Sequence, residues 1–157
     1  MSDTTISKPS ASSTTAVATT PASPLVTEHG KTTISDAVVA KIAGIATREV
    51  SGVHALGGST ARAVGALRER IPGGRTNHSQ GVSVEVGERE AAVDIELVAE
   101  YGVSITDLSA GIRRNVIGAI ERMTGLAVTE VNIAVQDVFL PSDEEDDDAA
   151  DEAPRVQ

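Results

Sequence analysis

Gly30-Lys31-Thr32 has the ending of a phosphate-binding loop, in which backbone N–H groups curl round the phosphates and a lysine meets their charge. Such a loop needs a second glycine five positions before Gly30, and Leu25 stands there, with no strand of convincing length ahead of it. The plainer reading is a loop before a helix cap. Among the 14 glycines no two are two or three residues apart, which removes the dinucleotide fingerprint and the GXXG clamp of single-stranded RNA binders. Gly58-Ser59-Thr60-Ala61 lacks the second glycine and the strand–turn–helix frame of a nucleophile elbow. His29, His54 and His78 stand about 25 residues apart with no partner at i,i+4, so each reads as a surface or half-buried imidazole rather than a metal ligand or base. Glu96 and Glu100 come nearest to paired carboxylates, but strand alternation puts them on the solvent side as solubilising charge. With no cysteine there is no thiol nucleophile, disulfide, zinc ribbon or iron–sulfur cluster. No catalytic, cofactor-binding or metal-ligating residue is expected, and the chain is read as not an enzyme.

The one concentrated charge feature in the middle of the chain is basic. Arg62, Arg68, Arg70 and Arg75, opposed only by Glu69, give +3 in a molecule of net charge −10. This segment is the candidate contact for anionic lipid or an acidic partner; the competing reading is a solubilising outer helix face, since interfacial helices usually carry aromatics that it lacks. Most of the negative charge lies elsewhere. Residues 143–152 contain eight acids, and from there to the end only Arg155 opposes them. The stretch between Leu25 and Pro141 is close to neutral, at −3. A negative chain does not attract nucleic acid as a whole.

These residues need a frame. Residues 1–24 are Ser, Thr, Ala or Pro at 19 positions and bury too little to offset the entropy of ordering, so 1–24 is expected to be a disordered tail. It has no apolar core behind a basic start, hence no secretory signal, and no run of about 18 apolar residues spans a bilayer. Ser35 caps a helix with Val38, Val39, Ile42, Ile45, Ala46 and Val50 at helical spacing, with Gly52 beyond its end. Val53-His54-Ala55-Leu56 is a short strand, and Ser59 to Ile71 a second, weaker helix with Ala61, Val64, Leu67 and Ile71 as its apolar stripe. Val82, Val84 and Val86 alternate with polar residues. Across the turn at 87–90, so do Val93, Ile95, Leu97, Ala99 and Tyr101. Ser104 or Thr106 caps the main helix, buried through Leu108, Ile112, Val116, Ala119, Ile120 and Met123 before Gly125. In the last strand Val131, Ile133, Val135 and Phe139 share one face, while Val98, Ala134 and Val138 belong to the outward set. The pattern predicts an α+β fold, a small, mainly antiparallel sheet with helices packed on one face in two layers. The ordered domain is expected over 25–141, between that front tail and a disordered acidic tail at 142–157.

Taken in order, several short motifs resemble the alkaline shock protein family, the Gls-type envelope stress response domain of bacteria. They are Ile34-Ser35-Asp36 through Val50, Ser51-Gly52-Val53, Gly81-Val82-Ser83-Val84, and Val93-Asp94-Ile95 leading to Glu100-Tyr101-Gly102. Met123-Thr124-Gly125-Leu126 and Val131-Asn132-Ile133-Ala134-Val135 complete the set, so the likeness covers about residues 30–139. The chain departs from the family in both tails and in the Gly/Arg-rich stretch 57–75.

The resemblance implies a non-enzymatic protein of the bacterial cytoplasm, tied to envelope homeostasis and stress. It implies an interaction scaffold at the inner face of the membrane, held there by a membrane-anchored partner and by self-association, with no catalytic residues and no cofactor. The alternative reading is an RNA-binding or regulatory module, opposed by the core's charge and the lack of stacking aromatics. The acidic tail is expected to restrain assembly or lipid contact by competing for the arginines of 62–75.

Overall fold

The computed structural model describes residues 23–58 and 76–142, with the single positions 63, 67 and 72 between them. The tails expected at the two ends and most of the second helix therefore lie outside the described residues. Of that helix Ala63 and Leu67 are helical, and Leu67 is exposed.

Two residues each form β1 (Val26–Thr27) and β2 (Gly30–Lys31), a small hairpin ahead of α1 (Asp36–Arg48). The lysine of the phosphate-loop look-alike thus sits in a strand, its Nζ 3.1 Å from Glu88 Oε1. Ser35 is the N-cap of α1, although its hydroxyl makes no capping bond. The helix buries Val39, Ile42, Ala43 and Ala46 against the sheet, together with Ala40, Gly44 and Thr47. Val38 and Ile45, expected on that face, are 46% and 42% exposed. The reason is that α1 is covered through its small residues: a Cβ on Gly44 would strike the His78 carbonyl, so the 76–80 loop lies directly on the helix. Thr47 satisfies its buried hydroxyl on the Ala43 carbonyl at 2.7 Å.

The main sheet is built on one strand. β3 (Val53–Leu56) and β4 (Val82–Val86) both pair antiparallel with β5 (Glu90–Glu100), end to end along the same flank. Between them Gly57 N–H donates to the Glu96 carbonyl at 2.7 Å, and Glu96 N–H donates to the Gly81 carbonyl at 2.8 Å. Gly81 has φ +72°, and a Cβ there would meet the Gly57 main chain, so glycine is required at this junction.

From β5 the chain turns at Gly102 (φ +94°) into α2 (Ile105–Thr124), and α2 delivers β6 (Ala127–Phe139) parallel to β5 along its other flank. A parallel neighbour needs such a crossover. Two of the three ladders are antiparallel and the longest is parallel. Ser104 is the N-cap of α2, its hydroxyl accepting from Asp107 N–H, and Gly125 ends the helix in the left-handed conformation at φ +73°. Its buried row runs Leu108, Ile112, Val116, Ile120 and Thr124 in steps of four. Met123 falls outside that row and is 66% exposed, against expectation; the buried apolar residue at this end is Leu126, just past the turn.

Both helices cover the same sheet face, so the α+β, two-layer architecture holds. The core joins the α1 and α2 residues to Ala91, Val93, Ile95, Leu97 and Ala99 of β5, with Leu56, Leu126 and Val131. Tyr101 does not continue the series: it lies beyond the strand and is 71% exposed.

β6 also departs from simple alternation. Its register slips once after Val128 and again after Val135, each time by one residue. Past the second bulge Val138 pairs with the core-facing Ala99 and Phe139 with the outward Glu100. The expected places of Val138 and Phe139 are thus exchanged, because an extra residue at Gln136 inverts which residues point inward.

Candidate functional site

Two layers with helices on one side leave a sheet face that no described helix covers. β5 turns Ala92, Asp94, Glu96, Val98 and Glu100 toward it; Ser83 and Glu85 of β4 and Glu130, Asn132, Ala134 and Asp137 of β6 join them by register. Ala134 is where the sequence placed it. Strands β3 to β6 contain no lysine or arginine, so every formal charge that they bring to the face is negative. Asn132 stands among its carboxylates, its Nδ2 donating to Asp94 Oδ1 at 2.9 Å and to Glu130 Oε1 at 3.1 Å.

At one end of this face lies its apolar part. His54 of β3 and Phe139 of β6 come from strands on opposite flanks of β5, and their rings stack with centroids 3.7 Å apart and planes 4° from parallel. Val98, which pairs with Ala55 beside His54, is 1% exposed although it lies outside the helix-side core. His54, expected as a surface or half-buried imidazole, meets this ring because β6 runs parallel beside β5, a pairing that periodicity does not report.

The remaining candidates separate. His78 Nδ1 lies 3.2 Å from Arg48, and His29 is in the turn between β1 and β2, so the structure brings none of the three histidines together. Glu96 and Glu100 do lie on the uncovered face. Arg62, Arg68, Arg70 and Arg75, the expected lipid or partner contact, fall outside the described residues. Among the described residues no group of three or more His, Asp and Glu is placed to hold a metal ion, and no helix is long and apolar enough to cross a membrane.

The outer edge of β6 is the second element to consider, since among the described residues β6 pairs with no strand but β5. One of its groups is covered from within: Arg113 of α2 donates from Nε to the Val131 carbonyl at 3.1 Å. The bulges interrupt the rest, as edge strands commonly do to avoid uncontrolled pairing. Among the described residues the second sheet face is therefore charged, and its outer edge is interrupted.

Comparison with known proteins bears on the same residues. The chain is 36% identical over 109 residues to the uncharacterized protein YqhY of Bacillus subtilis, a match covering 69% of this chain and 77% of that one. It is 34% identical over 110 residues to a stress response regulator gls24 homolog of Streptococcus pyogenes, covering 70% of this chain but only 59% of the relative. The protein YloU of Bacillus subtilis is 29% identical over 120 residues, which is 73% of this chain and 92% of that one. No solved structure gives a significant match. A family model described as having a cell envelope-related function matches residues 25–140, so the chain belongs to the alkaline shock protein 23 family, the family its motifs resemble.

Proposed function

We propose that the chain is a non-enzymatic docking module of the envelope stress response. It works beneath the cytoplasmic membrane, joining a membrane-anchored protein partner and further copies of itself. The observation that carries this reading is the two-sidedness of the fold. Among the described residues the uncovered sheet face bears carboxylates and no lysine or arginine, whereas the helices carry Lys41, Arg48, Arg113, Arg114 and Arg122 against Asp36, Asp107 and Glu121, an excess of positive charge. Such a body attracts a basic partner segment on one side and presents cations on the other, so contact between copies is favoured by charge and weakened by salt. The name of the streptococcal relative, a stress response regulator homolog, supports the stress role, and the family description supports the place at the envelope. The acidic sheet face repels nucleic-acid phosphate, which disfavours the RNA-binding alternative.

The test is affinity capture from cross-linked cells with two baits, the wild-type chain and the pair Glu85→Lys with Glu96→Lys. Both substitutions lie on the exposed face and leave the core untouched. The reading expects a membrane protein retained by wild type and lost from the charge-reversed chain, while the two baits melt at the same temperature. Equal capture by both baits would remove the sheet face from the proposal. Retention of single-stranded RNA on a filter at low salt would favour the alternative.

A further inference from the structure

Away from the sheet face, a cavity of about 430 Å³ lies between the β1–β2 hairpin segment and the β4–β5 turn. The hairpin is held at two ends. Pro24 packs against Gly125, where a Cβ would come within 3.0 Å of its ring, and Lys31 reaches Glu88 across the opening. Leu25, Val26, Ile34, Val86 and Leu126 line the cavity with aliphatic carbon. Around this lining stand a few polar groups. Lys31 and Glu88 are engaged with each other, but the Arg89 guanidinium has no hydrogen bond or ion pair among the described residues. The Thr32 and Thr33 hydroxyls are likewise without a side-chain hydrogen bond. A largely apolar cavity of several hundred cubic ångströms with a small number of unengaged polar groups at one side is the composition of a small-molecule site.

The geometry points to a site for a single-chain anionic amphiphile, with its hydrocarbon against Leu25, Val26, Ile34, Val86 and Leu126 and its anionic head on Arg89. Charge sets the sign. Lys31 and Glu88 cancel, which leaves Arg89 as the net charge of the opening, so a carboxylate or phosphate head is favoured over an ammonium one. The threonine hydroxyls supply further donors to the head. A free fatty carboxylate and a phospholipid in a bilayer both offer this chemistry.

The probe is sodium decanoate, titrated calorimetrically into the full chain below its micellar concentration, with decyltrimethylammonium as the head-charge control. Saturable uptake of decanoate at one site per chain is expected, with the ammonium analogue at least about tenfold weaker. Arg89→Gln should weaken decanoate about tenfold, the scale of one charge-assisted hydrogen bond. Val26→Trp, at a position 51% exposed in the hairpin, should fill the cavity and abolish uptake while leaving the far-ultraviolet spectrum and melting curve unchanged. Capture on phosphatidylglycerol vesicles that is lost in Val26→Trp, without decanoate uptake, would assign the site to lipid in a bilayer. Equal affinity for the two head charges, uptake that survives Val26→Trp, or no binding to either decanoate or vesicles would overturn the proposal.

Discussion

The two faces of the central strand are made by alternate residues of one eleven-residue segment, yet they serve opposite ends. Ala91, Val93, Ile95, Leu97 and Ala99 are all within 1% of full burial under two helices, while Asp94, Glu96 and Glu100 stay in solvent. Period two is enough to divide holding the domain together from what it offers to others. The division is physical: each carboxylate moved inward would demand a partner that the aliphatic side does not have, and each aliphatic moved outward would enlarge an exposed apolar patch.

The contrast breaks most readily from the covered side. Ile112→Ala removes a fully buried side chain from the middle of α2 and is expected to cost about 2–5 kcal/mol in urea unfolding; a loss under about 1 kcal/mol would mean that the helix layer does not carry the core. Gly44→Ala comes next. An alanine in a helix interior normally gains up to about 1 kcal/mol over glycine, but here the methyl meets the His78 carbonyl, so a net loss of about 1–3 kcal/mol is expected. Gly118→Ala on α2, where nothing lies within 4 Å of the new methyl, should show the ordinary gain in the same assay. On the uncovered face His54→Ala forfeits the ring stack with Phe139, and thermal unfolding should register about 0.5–1.5 kcal/mol. Smallest is Glu85→Gln, a single exposed carboxylate, with a change in unfolding free energy inside about 0.5 kcal/mol; a larger loss would show that the acidic face also supports the fold.

Much of this frame is written in local chemistry. The caps at Ser35 and Ser104, the turn at 87–90 and the alternation in β4 and β5 place both long helices and the central hairpin, because each depends on neighbours within a few residues. The motif series likewise identifies the family from the residues themselves. What stays hidden depends on distant partners. Val38 and Ile45 have helical spacing but border solvent, since what α1 buries is decided by the loop carrying His78. Phe139 and Val138 exchange sides because a bulge leaves no mark in hydropathy. The β1–β2 hairpin is too short to show a period at all. The uncovered face was legible in part, through Glu96, Glu100 and Ala134. Its ring stack was not, and neither was the cavity, which needs residues from four separate stretches of chain.

The junction at Glu96 has one more consequence. Gly57 and Gly81 grip the same residue of the central strand, so the chain departs from the sheet and comes back to it at a single point. A connection with coincident ends exerts no pull on what it leaves, and doubling its length costs only about 0.6 kcal/mol in closure entropy. Lengthening the connection within 59–75, ahead of the 76–80 loop that lies on α1, is therefore expected to cost the domain little.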